Sequence, residues 1–493
     1  MENNNHKILE TIEQLSSEID FNQKNLSIIL AAGHGKRIKS ETSKMLHKIW
    51  GVSSVVRVSN SAINGLKSQN QIIVIGIKGE QVAKSIGKKE NIKFVWQKEQ
   101  KGTGHALRVA LENLDSKFQG NIYVFSGDMG LVTSSFIENL KEKFEQSNSD
   151  LLFITAIFPQ GDYGRVLRVP KNDILGNPSE KDENKIIEIM EYKDILSLKK
   201  NYEVIFNQRN YSFSQEELLK IREFNGGIYA FKSDKLIKHI KEIKNDNIQQ
   251  EYYLPSLIPI FNSHHFSINS LQIEDYKEVL GFNTKDVLKK MEIIACQKVY
   301  YQLKNIITFE DENDFFIDDE VVKDILELEK SINNLDIVIG KGVKIYQGVK
   351  LNKEVQIGKN SILEGNIQLE KNVKIGENVT LSTYPNQKMI ISENVSILKG
   401  DIIKGCVFID KNCNIESSVI ITGSNEYPVK IGKNVDIKGT TYIFGSVIEN
   451  DLLIHHSVLI KKCIERIVKK DGTIQPVKFF LPQAEGIDSI INL

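Results

Sequence analysis

Between residues 339 and 460 an isoleucine or leucine returns at almost every sixth position, and that period closes off most of the folds open to a long chain. The positions are Ile339, Ile345, Leu351, Ile357, Leu363, Leu369, Ile375 and Leu381, then, in the same step, Ile391, Ile397, Ile403, Ile409, Ile415 and Ile421. Shorter runs follow at Ile431, Ile437 and Ile443 and at Ile448, Ile454 and Ile460. Six residues turn an α-helix through about 600°, which leaves successive apolar residues about 240° apart, so a helix cannot hold them on one face. A triangular parallel β-helix can, because each hexad makes one short strand and one corner. Asn360, Asn372, Asn378, Asn394, Asn412 and Asn434 each stand three residues after an inward position, where a corner can require the left-handed backbone that Asn tolerates. Residues 382–390 and 422–430 interrupt the repeat without changing it on either side, and read as loops extruded from corners.

Upstream the pattern is different. Short apolar runs at 26–32, 71–77, 93–97, 121–125 and 151–158 alternate with helix-like stretches, which predicts an α/β domain with a mostly parallel sheet. Ile8, Leu9, Ile12, Leu15 and Ile19 fall at helical spacing, giving a short amphipathic helix expected to pack against the body. Residues 284–306 form a long amphipathic stretch, followed by the acidic segment 310–320. The expected boundaries are therefore 1–25 for an N-terminal helical extension, 26–283 for the α/β domain, 284–330 for a helical arm and linker, 331–460 for the β-helix and 461–493 for a tail. A turn signal at Asp471-Gly472 suits a tail that caps the β-helix, whose end would otherwise expose an unpaired edge.

A chain of 493 residues has room for several domains, and its 64 basic and 64 acidic residues balance, which removes any general attraction to nucleic acid or to an anionic membrane. Phosphates could bind only at a local basic site. The four cysteines are scattered without a CxxC pair, as in a reduced cytoplasmic protein, and no apolar run approaches the roughly 20 residues of a membrane span.

One segment has the makings of such a site. The strand at Ser27–Leu30 runs into Ala31-Ala32-Gly33-His34-Gly35-Lys36-Arg37, with Lys44 soon after. Small residues let backbone N–H groups approach phosphate oxygens, and Arg37 and Lys44 add charge that can stabilise a leaving pyrophosphate. Neither a Walker loop nor the three-glycine dinucleotide fingerprint is satisfied, and the glycines alone could simply make a turn.

The string LAAGHGKRIKSETSKMLHKIWG, Leu30 to Gly51, is followed by Gln97, KGTGHAL at Lys101–Leu107, SGD at Ser126–Asp128, YGR at Tyr163–Arg165, Glu191 in MEYKD, Asn225 in EFNGG, EYYL at Glu251–Leu254 and Asn283 in GFN. In content and order this resembles the bacterial N-acetylglucosamine-1-phosphate uridylyltransferases, within the larger family of sugar-1-phosphate nucleotidyltransferases. The resemblance implies a Rossmann-like nucleotidyltransferase domain followed by a C-terminal left-handed parallel β-helix of hexapeptide repeats, α/β in class. It also implies transfer of uridylyl from UTP to N-acetylglucosamine 1-phosphate for cell-wall (peptidoglycan) precursors, in the cytoplasm, by a homotrimer joined through the β-helix. Leu30, Ala31, Ala32, Gly33, Gln97, Gly102, Thr103, Ser126 and Gly127 would bind the nucleotide. Gly164, Glu191 and Asn225 would bind the sugar, Asp128 and Asn283 would hold Mg²⁺, and Arg37 and Lys44 would serve catalysis. A hard cation that keeps several waters needs only one or two protein oxygens beside the phosphates. Taken alone, Thr103 reads as a cap of its helix and Asp128 as a turn residue.

The pattern is incomplete. Family members that also acetylate glucosamine 1-phosphate carry GHLTY-like and NYDG-like strings in the β-helix, and neither is found here. His455 and His456 are the only histidines in the repeats, and their context differs. Ser126 stands where an aromatic is usual, Gly130 where Pro is usual, and Gly226 where the threonine of NTG is usual, while residues 171–222 look long. Three alternatives therefore stay open: a pyrophosphorylase for another sugar 1-phosphate or nucleotide, a bifunctional enzyme with a diverged β-helix site, and a non-catalytic sugar-nucleotide-binding scaffold.

Overall fold

The computed structural model describes residues 2–33, 35–115, 117–157 and 161–480. It divides into two units, Met1–Glu292 and Ile293–Leu493. His34, discussed above as part of the small-residue turn, and residues 481–493 of the tail lie outside the described residues.

The first unit is built on one sheet. Its strands are β1 (Asn25–Ala31), β2 (Gln71–Ile75), β3 (Ile92–Trp96), β4 (Asn121–Ser126), β5 (Leu151–Ile157), β6 (Arg165–Arg168), β7 (Ile186–Met190), β8 (Glu223–Lys232) and β9 (Ile268–Ile273), in the order β9-β5-β8-β4-β1-β2-β3, with β6 and β7 added beside β8. β1, β2, β3 and β4 are mutually parallel. All five residues of β2 are buried, the mark of a central parallel strand covered on both faces by helices. Five strands lie within two residues of the apolar runs that predict them. β8 was not expected, because its sequence EFNGGIYAFK reads as a motif around a turn. The structure keeps it in the sheet, antiparallel to β4 and β5, through an irregularity between Asn225 and Tyr229.

The helix Glu2–Leu15 buries Ile8 in the core beside Val82 and Phe94, while Ser17 N donates to Ile92 O and Phe94 N donates to Ser16 Oγ. Residues 171–222 supply β7 to the main sheet and build a small lobe around it. Its hairpin of Tyr202–Phe206 and Arg209–Phe213 gathers Phe206, Tyr211 and Phe213 with Leu167, Ile187 and Ile195 into a separate small core.

In the second unit three ladders of short parallel strands make the left-handed β-helix. Coils repeat at three hexads, so Ile345 pairs Leu363 and Leu363 pairs Leu381, placing like residue on like through the core. A second inward position went unread in the sequence: Val343, Val355, Val373, Val379, Val395 and Val419, each two residues before an expected inward residue, are fully buried. Two of the expected core residues are not in the core. Leu351 lies past the end of the strand Val349–Lys350 and is only half-buried, and Ile460 is 40% exposed. From Ile443 the step contracts to five at two corners, so that Ile448 and Leu459 point inward and Ile460 turns out. Strands at Thr308–Phe309, just before the acidic segment, and at Phe316–Ile317, within it, begin two of the ladders. The tail's Val477–Lys478 pairs with the strand Leu453–His455 and closes the end of one ladder.

All six corner asparagines have positive φ, from 54° to 62°. They also bond to one another, which the sequence did not suggest: Asn372 donates to Asn394, Asn394 to Asn412, Asn412 to Asn434 and Asn434 to Asp451, at 2.8–3.1 Å. Replacing Asn412 by Ala imposes a left-handed alanine and breaks the ladder on both sides, and should cost about 1–2 kcal/mol. Asn412→Gly keeps the backbone and should lose less. Thermal unfolding of both variants checks this, and equal losses would refute the conformational part of the argument.

Candidate active site

The loops at the carboxyl ends of β1, β3 and β4 carry most of the predicted nucleotide residues. Leu30 pairs with Ser126 and Ala31 with Ile75 at the ends of their strands, and Gln97 follows Trp96 at the end of β3. In open α/β sheets ligands bind in the crevice beyond these ends. Ala31 and Ala32 are buried and Gly33 is exposed, so the strand offers backbone to that crevice rather than side chains. Gly127 N donates to Leu30 O at 3.0 Å, which draws the loop after β4 against β1.

Lys44 stands at the centre of the residues expected to meet metal and phosphate. Its Nζ donates to Asp128 Oδ2 at 2.5 Å and to Asn283 Oδ1 at 2.7 Å, although 239 residues separate Lys44 from Asn283. The side chains of Lys44 and Asp128 are only 9% and 11% exposed. Ser126 Oγ donates to Asp128 Oδ1 at 2.6 Å and fixes the carboxylate, while the Phe282 ring lies 5.6 Å from the ammonium. Gly35 makes this approach possible. It has φ 60°, and a Cβ there would lie 2.8 Å from Lys44 Cβ. Asp128 and Asn283 together offer hard oxygen donors gathered around one positive charge, a set suited to Mg²⁺. Arg37 is exposed on the short turn Lys36–Ile38.

The positions expected to read the base make a second cluster. Buried Gln97 donates through Nε2 to Gly102 O at 3.2 Å and lies 2.9 Å from His105 Nδ1. Thr103 does not cap its helix, Thr103–Glu112; its hydroxyl instead accepts from Leu254 N at 3.1 Å. The neighbouring Tyr252 accepts from Gly104 N at 2.7 Å and donates to Lys101 O at 2.8 Å, so residues 251–254 clamp residues 101–104. Gly102 has φ 103°, and a Cβ on it would come within 2.5 Å of Tyr252 O. Gly102→Ala should therefore displace the clamp, weakening nucleotide binding at least tenfold while the melting temperature changes little. Titration with a nucleoside triphosphate checks it, and unchanged affinity would separate this loop from the nucleotide.

Gly164, Glu191 and Asn225 also come together. Asn225 N donates to Gly164 O at 2.9 Å, and a Cβ on Gly164 would meet Glu191 Oε1 at 3.2 Å. Asn225 Oδ1 accepts from Gly227 N, which holds the amide in place. Burial pushes the Glu191 carboxyl up to about 7, and the charges of Asp194 and Glu251 add to the effect. At neutral pH this group can both donate and accept, as a ring of sugar hydroxyls requires. At Gly226 an added Cβ would come within 2.8 Å of Ile154, so this chain has no room there for the threonine of the NTG string.

Sequence reasoning did not single out Met45 or assign Tyr252 a role. Met45 Sδ would touch a Cβ on Gly127 at 3.0 Å and Cε one on Gly33 at 3.6 Å, so it packs between the loops after β1 and β4, with no sequence signal beyond its place after Lys44. Tyr252 acts through its backbone, though the EYYL string marks its position. In the β-helix His456 Nδ1 lies 2.6 Å from Gly439 O and 3.1 Å from Thr440 Oγ1.

Residues 27–172 match the family of MobA-like NTP transferase domains. The chain is 33% identical over 304 residues to the "Bifunctional protein GlmU" of Clostridium tetani, an alignment covering 60% of this chain and 58% of the relative. It is 32% identical over 326 residues to the protein of that name from Clostridium botulinum, covering 65% and 64%. The same name is carried by a relative from Acetivibrio thermocellus, 33% identical over 299 residues and covering 60% and 57%. The chain thus spans about three fifths of the length of the curated relatives it matches.

Proposed function

We propose that this chain, which is similar to the GlmU proteins and carries a MobA-like NTP transferase domain, transfers uridylyl from UTP to N-acetylglucosamine 1-phosphate, releasing pyrophosphate and forming UDP-N-acetylglucosamine for cell-wall precursors in the cytoplasm. The observation that carries the reading is the convergence of Asp128 and Asn283 on the Lys44 ammonium at the mouth of the parallel sheet. The acceptor's phosphate oxygen attacks the α-phosphorus of UTP in line, and the bond to the β-phosphate oxygen breaks. That oxygen is already ionised near neutral pH, so no side chain has to remove a proton. Asp128 and Asn283 would hold Mg²⁺, which when bound neutralises phosphate charge. Lys44 and Arg37 bind the triphosphate and offset the charge that grows on departing pyrophosphate. Gln97 and the backbone of residues 101–104 hold the uracil edge, and Glu191 and Asn225 orient the sugar.

Competition among N-acetylglucosamine, glucose, mannose and glucosamine 1-phosphates tests the acceptor. N-acetylglucosamine 1-phosphate should have the highest kcat/KM, and a preference for glucose 1-phosphate would replace the named sugar. The β-helix is read as the platform of a homotrimer. Light scattering at three times the chain mass is expected, and a monomer would contradict it. Without the two acetyl-transfer strings, no heat of acetyl-CoA binding is expected by calorimetry.

A further inference from the structure

His239, Glu242 and His264 take no part in the proposed reaction, and the geometry points to a transition-metal site made by these three side chains. His239 ends the helix Ser233–His239, Glu242 ends the turn Ile240–Glu242 that follows, and His264 terminates the helix Leu257–Ser263. Glu242 spans the two imidazoles: Oε1 lies 2.6 Å from His239 Nδ1 and Oε2 lies 3.1 Å from His264 Nε2. One ligand atom from each residue falls within 4.8 Å of the other two. A tetrahedral ion with bonds of about 2.0–2.1 Å asks for ligand atoms about 3.3 Å apart, so modest side-chain adjustment closes the set.

Two nitrogens and one carboxylate oxygen suit Zn²⁺, Co²⁺ or Ni²⁺ rather than Mg²⁺, which distinguishes this site from the one at Asp128. The ligands stand on fixed elements. His239 is 3% exposed, and both imidazoles lie against Phe266, at 5.2 and 5.7 Å between ring centroids. Glu242 and His264 are 44% and 39% exposed on their side chains, which gives an ion a way in and leaves room for a water as fourth ligand. In the ion-free geometry, protons on the imidazoles hold the cluster together through Glu242. On metal binding each ligating nitrogen gives up its proton, which moves to the other ring nitrogen or to solvent. For His239 that other nitrogen is Nε2, buried and without a hydrogen-bond partner among the described residues, and this cost weakens binding. The bound ion would brace the ends of two helices.

The test is titration of the chelator-treated full chain with Co²⁺ alone, followed by its visible absorption. One equivalent should give the ligand-field bands of a tetrahedral site, and Zn²⁺ should abolish them. Glu242→Gln and His264→Gln should lose the bands and the rise in melting temperature that Zn²⁺ gives the parent. Asp128→Ala should keep both. His264 is half-exposed, so its variant should fold, and a circular dichroism melt confirms that. Absence of saturable bands in the parent, or their persistence in His264→Gln, would overturn the proposal and leave the cluster a hydrogen-bonded brace.

Discussion

Replacing Lys44 by Ala should lower the proposed uridylyl transfer by about a thousandfold or more, and replacing Asp128 by Ala should have an effect of similar size. The two residues lose activity for linked reasons. Lys44 Nζ sits between Asp128 and Asn283, and its neighbour Asp128 is nearly buried. Without the ammonium the phosphates lose a fixed positive charge, and the Asp128 carboxylate is left enclosed without its ion pair. On the proposed reading, loss of the carboxylate would leave Mg²⁺ only Asn283 as a protein anchor. Excess Mg²⁺ should therefore restore part of the activity of Asn283→Ala but none of Asp128→Ala. Lys44→Arg should not rescue, because Gly35 already lies against the Lys44 stem and the planar fork asks for different partners. Steady-state kinetics with a parallel melt separate these effects from misfolding. Wild-type turnover in either alanine variant would remove both the metal and the phosphate assignments.

Asp401→Asn stabilises the β-helix above neutral pH by about 2–4 kcal/mol and removes a pH dependence that the parent shows. Asp401 occupies the inward position that Val379 and Val419 fill on the coils before and after it, and it is fully buried. Its Oδ1 accepts from Val419 N at 2.7 Å, while Oδ2 has no partner. Burial pushes the carboxyl up to about 7, against an ordinary value of 3.8. Between those values the folded chain holds a proton that the unfolded chain has released. Stability contributed by this group is therefore complete at acid pH, falls as pH rises through the window, and levels off above about 7. Asn keeps the acceptor for Val419 N and carries no charge at any pH. Val would leave that N–H unpaired, and should gain less. Denaturant unfolding of parent and variant from pH 4 to pH 8 should give curves that meet at the acid end and diverge upward. Parallel curves would show that Asp401 does not titrate in this window.

The β-helix was legible because its core uses one residue type at one period, and because left-handed corners select asparagine. What the period did not reveal was the second inward row, since valines two residues earlier share the same step and look like part of the strand. The contraction of the step near Ile448 and Leu459 was hidden by Ile460, an apolar residue that keeps the old phase and faces outward. In the α/β unit the parallel strands announced themselves as unbroken apolar runs, whereas β8 was masked by its two glycines. The residues proposed for the site stand in ordered motifs. Their partnerships were not, because Lys44 and Asn283 meet only through the fold, and Thr103 serves Leu254 rather than the helix it begins. The His239–Glu242–His264 cluster joins a short local spacing to a residue from another helix, and nothing in the order of residues marks that meeting.

The most direct test of the central claim is pyrophosphate release by the purified chain with Mg²⁺ and N-acetylglucosamine 1-phosphate, given each common nucleoside triphosphate in turn. Release with UTP, abolished by Asp128→Ala, is the predicted result. A folded protein that releases no pyrophosphate with any of them, or that prefers dTTP or ATP, would contradict the uridylyltransferase reading.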